Sequence, residues 1–186
     1  MMNKILVIYA TWAGATHEIA DEIARQMKTK LPAFDFDVLP VKEVTSIADY
    51  QGVVIGTSIH ASQPIRAVNQ FMKKHRADLA ALPVAVFVVC ANMWEQTPKT
   101  LTETTQWINK TLERYPEIQP VSLGLFAGAV LTAGDDFNNL NIFFRKTIES
   151  MRDNLQKQYG KTDFRDWAAI RAWADQVSED FSKQVH

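Results

Sequence analysis

The chain has one cysteine, little net charge and no long apolar run. One cysteine cannot form an internal disulfide, which is typical of a protein from the reducing cytoplasm. No stretch approaches the ~20 apolar residues of a membrane-spanning helix, and the apolar stretch near the N-terminus is too short for a secretion signal. The formal net charge is −1, and beyond residues 73–76 the Lys and Arg side chains form no basic stripe. We therefore predict a cytoplasmic protein with no nucleic-acid partner and leave a peripheral membrane contact open.

Five short apolar runs, rich in β-branched residues, alternate with helical patterns across the 186 residues. This alternation predicts an α/β protein with parallel strands, and the absence of linkers predicts a single domain over residues 1–186. The predicted strands are Lys4–Ala10, Phe36–Leu39, Gly52–Thr57, Val84–Ala91 and Ser122–Leu131. The predicted helices are Thr16–Lys30, Pro64–Ala81, Pro98–Tyr115 and Phe164–Lys183, with an extra helix at Asn138–Gln156 whose apolar stripe is expected to pack on the sheet.

The junction between the first strand and the first helix is the most informative segment. Residues 11–16 read Thr-Trp-Ala-Gly-Ala-Thr, with two hydroxyl residues and one glycine but no Lys or Arg. The first amides of a helix have no partner within the helix, and its dipole adds positive charge there. We predict that this turn holds a single phosphate group through hydroxyls and amides, with Thr16 as a helix cap. The alternative is that Thr11 and Thr16 serve only as turn and cap residues.

Several phosphate-handling sites are excluded by what this turn lacks. A nucleoside triphosphate loop needs a Lys after its last glycine, and a dinucleotide turn needs three glycines in G-x-G-x-x-G spacing. A phosphoryl-accepting receiver domain needs a carboxylate at the end of the first strand, and residues 4–16 contain no Asp or Glu. A low-molecular-weight phosphatase needs an Arg six residues after its Cys, whereas the residue six after Cys90 is Gln96. A mononucleotide such as FMN remains as the candidate ligand, and we predict no metal ion.

Two further loops have side chains suited to a flavin. In open parallel sheets the ligand lies beyond the carboxyl ends of the strands, so the site is expected among the loops after the first, third, fourth and fifth strands. Trp94 offers a ring that can stack on an isoalloxazine, and His60 is the candidate catalytic side chain. Cys90, at the end of a buried strand, is interpreted as a small apolar core residue. The predicted binding residues of the two loops are Ser58, Ile59, His60, Ala61, Ala91, Asn92, Met93 and Trp94.

These motifs resemble those of a known family. The segment T-W-A-G-A-T resembles the flavodoxin phosphate loop T-x-T-G-x-T, with Thr11, Gly14 and Thr16 matching and Ala13 departing. Three further segments resemble the menaquinone-dependent protoporphyrinogen IX dehydrogenase branch of the flavodoxin-like proteins. They are Gly56-Thr57-Ser58-Ile59, the helical Phe71-Met72-Lys73-Lys74-His75, and Lys161-Thr162-Asp163 followed by Asp166-Trp167.

The resemblance implies a flavodoxin-like three-layer sandwich, with a five-stranded parallel sheet in the order 2-1-3-4-5 and an extra helix after strand five. It implies FMN as cofactor, with the isoalloxazine between the Ser58–Ala61 and Ala91–Trp94 loops. The residues expected to surround the phosphate are Thr11, Trp12, Ala13, Gly14, Ala15 and Thr16. Because Ala13 lacks the hydroxyl of the motif, we expect weaker rather than absent FMN binding.

The function implied is that of an FMN-dependent oxidoreductase of heme biosynthesis, with an exposed flavin edge, a small-molecule reductant and a quinone acceptor. The alternative is an FMN electron carrier that works between redox protein partners. Such carriers usually have a strongly acidic face, which the near-neutral charge of this chain does not favour. A cofactor-free interaction module is the third alternative, and a homodimer is left open.

Overall fold

The structure is a computed structural model that describes residues 3–184. Its strands are β1 (Lys4–Ala10), β2 (Asp35–Pro40), β3 (Gly52–His60), β4 (Gln63–Pro64), β5 (Val84–Val89) and β6 (Ser122–Phe126). Five of them form a parallel sheet in the order β2-β1-β3-β5-β6, and the two-residue β4 pairs antiparallel with the end of β3. The predicted order of the five parallel strands is therefore found, and the sixth, short strand is the difference from the prediction.

Helices cover both faces of this sheet. They are α1 (Ala15–Lys30), α2 (Arg66–Lys74), α3 (Arg76–Ala80), α4 (Pro98–Leu112), α5 (Asp135–Asn138), α6 (Ile142–Tyr159) and α7 (Trp167–Ser182). On one face, Ile19 and Ile23 of α1 pack with Phe181 of α7 against the sheet. On the other face, Met72 of α2 and Ile108 of α4 pack against it. The predicted three-layer sandwich is confirmed, with a buried core on each side of the sheet.

The second predicted helix is wrong at its start and in its middle. Pro64 belongs to β4 and α2 begins at Arg66, while a break at His75 separates α2 from α3. The hairpin between β3 and β4 turns through Ala61 and Ser62, whose φ angles are 47° and 62°. Such turns favour Asn and Gly, so the residue types at these positions do not indicate a hairpin.

The segment after β6 also differs from the prediction. The strand ends at Phe126 rather than Leu131, and the predicted strand through Ala91 ends at Val89. Residues 129–163 form a segment, here called the insert, whose two ends are hydrogen-bonded to each other. Ala129 pairs with Asp163, and the Val130 amide donates to the Thr162 carbonyl at 2.9 Å. The extra helix predicted at Asn138–Gln156 corresponds to α6 of this insert, which begins at Ile142, and the short α5 precedes it.

Helix α6 is held by few buried side chains. Of its residues only Ile148 and Leu155 are buried, whereas Phe144 is 44% and Phe143 81% exposed. The expectation that the whole apolar stripe packs on the sheet is therefore wrong. Among residues 3–184 there is no helix with the length and apolar character needed to cross a membrane.

Candidate functional site

The turn between β1 and α1, residues 11–16, is here called the phosphate loop. Its Gly14 is the N-cap of α1 and has a φ of 98°, a conformation that L residues with a side chain avoid. The Gly14 amide donates to the Thr11 hydroxyl at 2.9 Å, and the first bond of the helix runs from the Glu18 amide to the Gly14 carbonyl. The amides of residues 15–17 therefore have no partner within the helix and are available to an anion.

Thr16 does not cap this helix as we expected. It lies inside α1, its side chain is buried, and the cap position is occupied by Gly14 with no side-chain cap bond. The hydroxyl that shapes the loop belongs to Thr11. Both threonines still lie next to the free amides, because Thr11 and Thr16 line the same cavity.

A cavity of about 180 Å³ opens beside the phosphate loop, at the carboxyl ends of β1, β3 and β5. It contains most of the predicted binding residues: Thr11, Trp12, Ala13, Ala15, Thr16, Ser58, Ile59, His60, Ala91 and Trp94. Of the remaining ones, Met93 is 1% exposed and packs in the core, while Ala61 lies exposed in the hairpin turn. Gly14 shapes the phosphate loop but does not line the cavity. The Asn92 side chain lies outside the described residues.

Sequence reasoning missed the far wall of the cavity. It consists of Val89, Cys90, Gly128, Ala129, Val130, Ile148 and Met151. The rule for parallel sheets points to the loop after the fifth strand, but the prediction of that strand as far as Leu131 places Gly128–Val130 inside it. Ile148 and Met151 of α6 had no such signal, because their helix reaches the cavity only through the path of the insert.

Three aromatic side chains meet at one side of this cavity. The Trp12 ring lies 4.2 Å from the His60 ring and 5.5 Å from the Phe144 ring, both in edge-to-face geometry. His60 Nε2 is 3.2 Å from the Ser58 hydroxyl oxygen. Burial lowers the pKa of His60, which keeps its imidazole neutral near pH 7. His60 and Cys90 are the titratable side chains of the described cavity lining.

Trp94, predicted to stack on a flavin ring, already has one aromatic partner within the protein. Its ring stacks on Phe164 at 4.4 Å, with 14° between the planes, so one of its faces is already covered. Its indole Nε1 is buried and finds no hydrogen-bond acceptor among the described residues. Buried donors without a partner are rare in proteins. Trp94 therefore lines the cavity, while its buried N–H has no hydrogen-bond partner among the described residues.

The insert also contacts the other side of the phosphate loop. His17, in the first turn of α1, stacks on Tyr9 at 4.3 Å, and its Nδ1 lies 3.1 Å from a carboxylate oxygen of Asp136 in the insert. Burial and the nearby charges of Asp136 and Asp21 raise the pKa of Tyr9 to about 12. The insert is thus held at the phosphate loop by a polar contact and by the Trp12–Phe144 pair.

Comparison with known proteins agrees with this architecture. The sequence profile of the flavodoxin domain family matches residues 6–163, and the chain belongs to this family. It is 32% identical over 181 residues to the protoporphyrinogen IX dehydrogenase (quinone) of Leishmania major, covering 92% of this chain and 73% of that protein. It is 25% identical over 175 residues to the Escherichia coli K12 protein of the same name, covering 94% of each.

Among solved structures, the solution structure of two-electron reduced Megasphaera elsdenii flavodoxin matches with a TM-score of 0.54. The sequences are 11% identical, and the match covers 94% of this chain and 98% of that chain. This likeness concerns the fold alone. It confirms the flavodoxin-like architecture that the sequence motifs implied.

Proposed function

We propose that this protein is an FMN-dependent oxidoreductase with an exposed flavin edge, which oxidises a small-molecule reductant and passes the electrons to a quinone. The observation that supports this most is the cavity in which the phosphate loop, the end of β3 and the turn after β5 meet. The 32% identity to a quinone-linked protoporphyrinogen IX dehydrogenase supports the reaction class. That similarity favours the enzyme over the electron-carrier alternative.

The residues present fit an FMN group. The Thr11 and Thr16 hydroxyls and the free amides of residues 15–17 suit a phosphate dianion without help from a cation. Beyond them the walls of the cavity are mostly apolar, which suits a planar ring system. When bound, FMN would supply the hydride and electron chemistry that amino-acid side chains lack.

The size of the cavity supports an exposed flavin edge. Pockets that enclose a whole cofactor or drug-sized ligand measure roughly 300–1,000 Å³. The cavity here, at about 180 Å³, is smaller. A flavin held by its phosphate would therefore fill the cavity with part of its ring and leave the rest at the opening, beside Trp12 and His60. A second, planar reactant can approach the ring at that opening.

His60 is our candidate for proton exchange at this opening. Oxidation of a reductant releases a proton together with each hydride, and a neutral imidazole can accept it. Nε2 of His60 lies against the Ser58 hydroxyl, so Nδ1 is the ring nitrogen left for a reactant. Cys90, the other titratable residue of the lining, is buried at the end of β5.

Cofactor binding and activity are tested in sequence. The purified protein is stripped of flavin and titrated with FMN, following the quenching of flavin fluorescence, with riboflavin as the ligand that lacks the phosphate. We expect FMN to bind and riboflavin to bind much more weakly. The loaded protein is then mixed anaerobically with protoporphyrinogen and menadione, and we expect the porphyrin and the reduced quinone to form in the ratio that electron balance requires, three quinones reduced for each porphyrinogen oxidised.

Two results would contradict the proposal. Equal affinity for FMN and riboflavin would mean that the phosphate loop does not bind phosphate. Tight FMN binding without porphyrinogen oxidation, together with rapid reduction of a cytochrome, would favour the electron carrier. The cytoplasmic location, the peripheral membrane contact, the homodimer and a redox protein partner stay predictions.

A further inference from the structure

A second concave site lies next to the β3–β4 hairpin. It is a cleft of about 170 Å³ between this hairpin, α2 and α4. Six of its lining side chains are polar or aromatic groups that a ligand could contact: Ser62 and Gln63 of the hairpin, Asn69 of α2, Trp107 and Lys110 of α4, and Arg114 just beyond the end of α4. Trp107 and Lys110 are three residues apart on one face of α4, and Arg114 follows the end of this helix. We call this site the basic cleft.

The polar groups of the basic cleft are suited to an anion. Its lining, all within the described part of the chain, contains two cations and no carboxylate. Neither Lys110 nor Arg114 forms an ion pair within residues 3–184, whereas Arg76 and Lys99 pair with Glu117 and Glu103. Two neighbouring cations without a counter-charge repel each other, and an anion bound between them removes that repulsion.

A neighbouring side chain orients one more donor toward the cleft. The Tyr115 hydroxyl donates to the Asn69 side-chain oxygen at 3.1 Å and lies 3.2 Å from the Asn69 carbonyl. Because the amide oxygen is used in this way, the NH₂ group of Asn69 remains for the cleft. Gln63 and Ser62 can supply further donors. A carboxylate, with two acceptor oxygens, matches such a group of cations and N–H or O–H donors.

The basic cleft and the flavin cavity are adjacent through one pair of residues. His60 lines the cavity, Gln63 lines the cleft, and the two are directly opposite each other in the β3–β4 ladder. Directly opposite residues of an antiparallel pair lie on the same face, with Cβ atoms about 4.5–5.5 Å apart. A ring beside His60 therefore has Gln63, a lining residue of the cleft, within reach of a side chain of a few atoms.

We propose that the basic cleft binds carboxylate groups of the reductant while its ring lies at the opening of the flavin cavity. This inference rests on the proposed function, because the ring must reach the flavin. It assigns to this cleft the recognition of short carboxylated side chains on a macrocyclic reductant, such as the propionates of a tetrapyrrole. Lys110 and Arg114 are specificity-determining residues in this arrangement, and they take no part in binding FMN.

The test compares an acid with its ester. Protoporphyrin IX and its dimethyl ester are titrated into the FMN-loaded protein in the same detergent buffer, following the quenching of porphyrin fluorescence. We expect wild type to bind the acid more tightly than the ester. In Lys110→Gln/Arg114→Gln the affinity for the acid should fall by about tenfold or more, since a charge-assisted hydrogen bond typically gives at least that factor. The affinity for the ester and for FMN should not change.

Two control variants separate the cleft from total charge and from folding. Lys28→Gln/Lys30→Gln removes the same charge from the last turn of α1, at the end of the helix far from the phosphate loop, and should leave both affinities as in wild type. Lys110→Arg keeps the charge and should retain the binding of the acid. Both positions of the double variant are exposed, so it should fold.

The outcomes distinguish this inference from the proposed function. Equal binding of acid and ester by wild type, or an unchanged affinity for the acid in Lys110→Gln/Arg114→Gln, would overturn the basic cleft even if FMN binding and porphyrinogen oxidation are normal. Slower electron transfer to an acidic redox protein in this variant, with unchanged binding of the acid, would overturn it in favour of a protein-docking site. If the wild-type protein binds no FMN, and the double variant binds protoporphyrin IX more weakly than wild type does, the proposed function fails and the carboxylate site stands.

Discussion

Replacing Gly14 by alanine tests the phosphate loop most directly. A Cβ at Gly14 would have only ordinary contacts, the nearest being 3.5 Å from Asp136 and Leu131, so there is no steric clash. The penalty comes from the backbone, because a residue with a side chain held at positive φ costs roughly 1–2 kcal/mol. For a protein of this size each kcal/mol lowers Tm by about 2–4 °C, so we expect a fall of about 2–8 °C.

The same strain should weaken FMN binding. If the loop of Gly14→Ala relaxes, the Gly14 amide turns away from the Thr11 hydroxyl and the free amides of α1 no longer converge. The part of the strain that relaxes in the free protein no longer lowers Tm but must be restored when the phosphate binds, and a full 1–2 kcal/mol weakens the affinity by a factor of about 5–30. The losses of stability and of binding free energy should therefore add up to about 1–2 kcal/mol. Thermal unfolding by circular dichroism gives Tm, and titration of the flavin-free protein gives Kd.

Gly160→Ala is the matched control for this substitution. Gly160 is the C-cap of α6, has a φ of 68°, and has no other atom within 4 Å of the position that an added Cβ would take. The variant should lose stability by a similar amount and bind FMN as wild type does. The reasoning is refuted if Gly14→Ala keeps both the Tm and the FMN affinity of wild type while Gly160→Ala loses stability, because a side chain at positive φ in the phosphate loop would then have no energetic effect.

Three further substitutions test the site. Thr11→Val removes the acceptor of the Gly14 amide and should lower the free energy of unfolding in urea by about 1 kcal/mol and the affinity for FMN several-fold. Thr11→Ser keeps the hydroxyl and should have wild-type stability and affinity. Equal stability and equal affinity of the two variants would contradict this role of the hydroxyl. Trp94→Phe removes a buried N–H that has no partner in the described structure, so stability and the FMN titration curve should both change little; a weaker affinity for FMN would show that this group becomes a contact of the flavin. Burial lowers the pKa of His60 below its ordinary value of 6.5. The unfolded state therefore binds more protons than the folded state, and the free energy of unfolding decreases as the pH falls through 6.5 and below. His60→Gln should flatten the fall in the free energy of unfolding between about pH 7.5 and pH 5.5, and an equally steep fall in the variant would show that His60 is not its source.

Local pattern is sufficient for the central strands and for the phosphate loop. It predicts β1 with its observed limits because a strand buried on both faces must be apolar throughout, and Ile5 to Ile8 are fully buried. It predicts the loop because an anion site at a helix N-terminus depends only on the residues of the turn itself. The loops after β3 and β5 follow from the general position of ligands in parallel sheets.

Local pattern is insufficient where a neighbour decides the conformation. The β3–β4 hairpin has Ala61 and Ser62 at positive φ, a strained turn that only its surroundings can maintain, so the pattern wrongly predicts a helix start at Pro64. Met93 and Trp94 are consecutive apolar and aromatic candidates in sequence, but one is buried in the core and the other lines the cavity. Nothing in their types distinguishes the two.

The sequence by itself determined the fold class, the phosphate loop and the kind of cofactor that suits it, because each depends on periodicity or on chemistry within one short segment. Only the tertiary structure decided which apolar side chains of α6 reach the cavity, and that Phe143 is left exposed. It also brought Gln63, Asn69, Lys110 and Arg114 together in the basic cleft. These features depend on contacts between distant segments, and a one-dimensional pattern contains no distance between segments.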